Sequence, residues 1–159
     1  TLQNGGIAGI QELRFYDDNS IAMVWMNNLR TILLATFAGL LSFGVLALIV
    51  MVVPIAFIGF FAATTASAGL SPLLFLLAFV LPHGILEIPA IIIAGAAILR
   101  LGATIASPAP GRTIGEAWLG AAADWAKVMV GLVLPLLLGA AALEVLITPR
   151  IAGWLFGGS

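Results

Sequence analysis

His83 and Glu87 are four residues apart in the stretch Leu81-Pro82-His83-Gly84-Ile85-Leu86-Glu87-Ile88-Pro89-Ala90. On a helical backbone that spacing stacks the two side chains on one face. An imidazole beside a carboxylate can share a proton or form an ion pair, which suits a proton relay, an ion site or a polar substrate contact. Pro82 and Pro89 each remove a backbone donor and free a carbonyl one turn earlier, and Gly84 lets the chain bend or a neighbour approach. A structural role therefore competes with the chemical one: the pair could satisfy the freed carbonyls and lock a broken helix. No metal or cofactor is expected. His83 is the chain's one histidine and there is no cysteine, so one His and one Glu make half a coordination shell. Only a symmetric dimer could bring four ligands together.

The other residues of interest stand apart from this stretch. Glu144, near the end of a long apolar run, needs a partner, and Arg30 beside Asn27 and Asn28 is expected to reach it as an interhelical ion pair. Trp25, Trp118, Trp125 and Arg100 read as anchors at the membrane surface, where amphipathic rings and snorkelling cations settle. Small residues four apart, Ala35 with Gly39, Gly59 with Ala63 and Ala90 with Ala94, together with Gly131 and Gly139, offer faces for close helix packing.

What must position these groups follows from composition. Of 159 residues, 62% are hydrophobic and 8% charged, with a mean hydropathy of +1.21. Soluble domains carry about 25% charged residues, and no Asp, Glu, Lys or Arg occurs between Arg30 and Glu87. The chain is an integral membrane protein. Runs such as Val45 to Val53 are apolar on every side, whereas a barrel strand alternates, so the spans are helices. The net charge of −1, without a basic stripe, argues against nucleic acid as a partner.

The expected fold is all-α, a polytopic bundle of about four spans. They fall at 29–50, 53–67, 73–99 and 128–147 within a single membrane domain, 1–159. Residues 1–28 form a polar, interfacial N-terminal segment, and Pro54 is placed in the first turn of the second span. The third span is expected to break at Pro82-His83-Gly84, with His83 and Glu87 near the bilayer midplane. Thr113 and Glu116 have capping-box spacing and open an amphipathic segment, 112–127, that either lies in the interface or caps the bundle. Pro149 and Arg150 close the last span. With four crossings, Arg14, Arg30 and Arg150 face one side and Arg100, Arg112 and Lys127 the other, so the positive-inside rule is balanced. A re-entrant 73–99 would change the split. The first residue is Thr1 rather than Met, and an upstream region is expected.

Asn27-Asn28-Leu29-Arg30, the Pro-His-Gly segment with Glu87, Ala94-Gly95-Ala96-Ala97 and Leu99-Arg100-Leu101-Gly102 closely resemble the stage II sporulation protein M family over about residues 20–150. The resemblance implies a multi-pass protein of a prokaryotic plasma membrane, without enzymatic activity and with a further span upstream. The family's named member holds peptidoglycan hydrolases at the septum of spore formers. The expected function is therefore a non-catalytic scaffold or assembly partner in a cell-envelope complex, touching membrane lipids, other membrane or envelope proteins and further copies of itself. The alternative is a transporter or channel component that uses the His/Glu pair in a broken helix.

Overall fold

A computed structural model describes residues 20–108 and 110–156. The expectations for residues 1–19, Arg14 among them, lie outside the described residues. Among those described, the chain is helical without strands, and four helical stretches are long and apolar enough to cross a membrane.

Helix α1 runs Ile21–Leu41, capped by the Ser20 hydroxyl, which accepts from the Met23 N–H. Helix α2 runs Val45–Ser67. The boundary between them corrects the 29–50 span: its last residues belong to α2, and helix already begins at Ile21. The turn is made by Phe43 and Gly44, both in the left-handed region at φ 53° and 99°, while the Ser42 hydroxyl accepts from the Leu46 N–H to start α2. Pro54 consequently lies inside α2 rather than in its first turn, where it leaves the Val50 carbonyl without its usual donor.

The third crossing is a continuous helical rod, Pro72–Ala106, built from α3 (Pro72–Phe75), a π-helical turn at Leu76–Val80 and α4 (Leu81–Ala106). The irregularity thus falls one turn before the Pro-His-Gly triplet, and helix continues through His83 and Gly84. Pro82 occupies the first turn of α4, where its missing N–H costs little, and the Leu81 N–H reaches back five residues to the Leu76 carbonyl. Pro89 sits in the interior of α4 without ending it. A rod that runs through without reversing removes the re-entrant alternative.

The last crossing repeats the device. Helix α5 (Ile114–Val128) passes through a π turn at Met129–Val133 into α6 (Leu134–Leu146). Val-Leu-Pro closes both π turns, at Val80-Leu81-Pro82 and Val133-Leu134-Pro135. Pro149 does not end the structure: it lies in the first turn of a further helix, α7 (Thr148–Phe156). Phe156 stacks on Phe79 at 5.9 Å between ring centroids, folding α7 back onto the first π turn.

Packing is set by glycine at one end of the bundle. A Cβ on Gly102 would strike the Phe43 carbonyl and the Gly44 nitrogen, and one on Gly39 would strike Ile98. At Gly95 it would meet the Met51 sulfur at 2.8 Å. These contacts make α1 parallel to α4 and α2 antiparallel to it. Ala35, Ala90 and Ala94 are fully buried in the same core, but Gly59 and Gly131 face open space. Beyond Met51, α2 has no buried residue. It diverges from the bundle over its C-terminal half.

Candidate functional site

The divergence of α2 leaves a wedge-shaped cleft of about 830 Å³ between α2 and the face formed by α1, α4 and α6. Its two walls differ in chemistry. The α2 wall is apolar and includes Val53, Phe57, Ile58 and Phe61, whereas the opposite wall carries Asn27, Asn28, Thr31, His83, Glu87 and Glu144. Val53, Phe57 and Phe61 are also exposed on the outer surface, so the cleft opens sideways toward lipid.

The sequence explains this arrangement locally. Asn27 and Thr31 are one helical turn apart, as are His83 and Glu87, so each pair points the same way. Gly84, between the latter pair, lines the cleft and adds no side chain to fill it. The His83 Nε2 lies 3.7 Å from a Glu87 carboxylate oxygen, and both side chains are largely buried. The Thr31 hydroxyl donates to the Asn27 carbonyl of its own helix. Two buried nitrogens of these residues, His83 Nδ1 and Asn28 Nδ2, have no hydrogen-bond partner.

The depth of the pair differs from the expected midplane position. Gly95 against Met51 and Gly102 against Gly44 set the register of the antiparallel helices, which places Glu87 opposite Gly59 and His83 opposite Ala63. At 1.5 Å per residue these levels lie ~12 and ~6 Å from the C-terminal end of α2. The site is therefore displaced toward the membrane side that holds the start of α1.

Arg30 and Glu144 do not form the expected bridge. Among the described residues the acid–base contacts are Arg100–Asp124, Lys127–Asp124 and His83–Glu87, the last an ion pair only with His83 protonated. Sharing a membrane side is not sharing a face: Glu144 projects into the cleft beside His83 and Glu87, and Arg30 is exposed outside it. Arg30 is nevertheless at the cleft's rim, because Asn27 and Leu34, three before and four after it, both line the cavity. Asn27, Asn28 and Thr31 belong to the site, and the one signal for them was a cluster of amides and a hydroxyl at helical spacing.

Two of the expected surface anchors turn inward. The Trp25 indole donates to the Leu134 carbonyl at 3.2 Å, at the junction of the second π turn and α6. Trp125 packs against the core, since the buried stripe of α5 passes through Ala117 rather than Trp118. Trp118 is exposed, and Arg100 is exposed but paired at 3.0 Å with Asp124. Around that pair, Arg112, Lys127 and Gly120 frame a second, smaller hollow of about 340 Å³ at the opposite end of the bundle. The Thr113–Glu116 capping box is formed, with the Thr113 N–H donating to the Glu116 carboxylate at 2.9 Å.

Among the described residues no group of three or more His, Asp or Glu side chains converges closely enough to hold a metal ion. His83, Glu87 and Glu144 share a cleft without forming a ligand set. The arrangement can accept or donate protons and hydrogen bonds, and its two carboxylates favour a positively charged group.

The family model described as Stage II sporulation protein M matches residues 6–149. No curated protein and no solved structure matches the chain. With most of its length matched, the chain belongs to the stage II sporulation protein M family.

Proposed function

We propose that this member of the family is a non-catalytic scaffold or assembly partner in a cell-envelope complex of the plasma membrane. The observation that supports this most is that the polar cleft is blind. Toward the other membrane face, Ala35, Met51, Ala94, Ile98 and Val133 belong to a buried apolar core, which closes the route across the bundle. A second support is α2, held to the bundle through Ala47 and Met51. Its Phe60, outside the cleft, packs on Phe61 of the cleft wall and offers a face to another protein's helices or to a second copy. The contact of His83, the chain's one histidine, is the Glu87 carboxylate and not a hydroxyl or thiol nucleophile, which supports a non-catalytic role. The Thr31 hydroxyl in the cleft is committed to its own backbone.

A transport component is the second reading, favoured by an imidazole and two carboxylates at membrane depth. Flux measurements separate the two. Liposomes containing the protein are expected to pass protons and monovalent ions no faster than empty ones, while a photo-crosslinking residue at Phe60 gives discrete adducts with envelope proteins in cells. Flux lost in both His83→Ala and Glu87→Gln, with both variants still folded, sinks the scaffold reading.

A further inference from the structure

The cleft combines features that a scaffold does not require. Its floor is acidic: Glu87 and Glu144 line it and no Lys or Arg does. Even with His83 protonated, one carboxylate lacks a counter-charge there, and Glu144 is in none of the ion pairs among the described residues. At membrane depth such a group calls for a cation or a proton. The rim carries the opposite sign, in Arg30, exposed on α1 near the middle of that helix and without a carboxylate partner among the described residues. A guanidinium at this level is costly unless an anion meets it. Outside the rim lies the apolar wall of α2, open to lipid.

Read from floor to mouth, the order is anionic, cationic, apolar. We propose that the cleft binds a zwitterionic aminophospholipid, with its terminal ammonium among Glu87, Glu144 and the Asn27 and Asn28 amides, and its phosphate at Arg30. The acyl chains run along Val53, Phe57 and Phe61. The order of charges matches the covalent order of such a lipid, in which the ammonium is the tip, the phosphate comes next and the chains follow. The Asn27 and Asn28 side chains line the same wall and offer amide groups to headgroup oxygens. A primary ammonium has three N–H donors, which a quaternary ammonium lacks, so the site distinguishes ethanolamine from choline headgroups. A single anionic lipid would satisfy Arg30 and be repelled by the floor.

The experiment places the purified full chain in nanodiscs of mixed phosphatidylethanolamine, phosphatidylcholine and phosphatidylglycerol. Lipids retained on the protein are then counted by native mass spectrometry. Wild type is expected to retain phosphatidylethanolamine roughly tenfold over either competitor, the factor that one charge-assisted hydrogen bond supplies. In Glu144→Gln the preference over phosphatidylcholine should vanish, and in Arg30→Gln retention of both zwitterionic lipids should fall. Ile58→Trp keeps every charge and fills the cleft from the loosely held helix. It should abolish retention in a protein that remains monodisperse and helical. Equal retention of ethanolamine and choline lipids by wild type, a preference for phosphatidylglycerol, or selectivity that survives Ile58→Trp each overturns the proposal. Stabilisation by sodium or potassium ions in place of the lipid does so as well.

Discussion

The two ends of the bundle solve opposite problems with the same three helices. Where α1 turns into α2, the backbones of Phe43, Gly44 and Gly102 touch, Gly39 receives Ile98, and the Ser42 hydroxyl serves only the local backbone of the turn. At the other end α2 stands away, and amides, carboxylates and an imidazole occupy the opposing wall. In lipid, helices associate through close van der Waals contact and not through a hydrophobic force. A glycine-lined junction can therefore fix the register of the bundle and leave the far end open without collapse. The lesson is that rigidity and accessibility are separated along the helix axis, each written by a different residue class.

The sharpest way to break this comparison is to put a side chain into the closed end. Gly102→Val sets a branched Cβ against immovable backbone and should cost about 4 kcal/mol or more, so the protein should fail to recover as a monodisperse species. Ile98→Ala removes a fully buried side chain from the same junction, with an expected loss of about 3 kcal/mol, measurable by steric trapping or thermal unfolding in nanodiscs. Trp25→Phe keeps an aromatic side chain but removes the pyrrole half of the indole with its donor to Leu134; a loss of about 1 kcal/mol or somewhat more is expected. Smallest of all, Gly59→Ala adds a methyl at the open end where nothing lies within 4 Å, and stability should stay within about 0.5 kcal/mol of wild type. If Gly59→Ala were as damaging as Gly102→Val, the contrast between the ends would be false.

How much of this was legible in the sequence depends on whether an effect is local. The His83–Glu87 pair and the Thr113–Glu116 cap were readable because i to i+4 and i to i+3 spacing on a helix fixes proximity without knowledge of the rest of the fold. The turn at Ser42-Phe43-Gly44 was not. In an apolar sequence hydropathy does not dip at a turn closed by a phenylalanine and a glycine, so the expected first span runs through it. Arg30 and Glu144 were paired from the membrane side they share. The rotation of each helix about its own axis, which decides faces, is set by glycine contacts far along the chain. The inward turn of Trp25 has the same origin, because its acceptor lies 109 residues away.

One consequence of the α2 geometry is mechanical. The helix is clamped at Ala47 and Met51, loses a backbone hydrogen bond at Pro54, and is tied at its other end through residues 68–71 to the start of the third crossing, so the thirteen residues beyond the proline form a beam ~20 Å long held at both ends. A swing of ~10° about that proline moves its far end by ~3.5 Å, and the start of the third crossing must move with it. Load applied to Phe60 from outside the bundle would thus be carried to both ends of α2, the glycine-lined junction and the start of the third crossing.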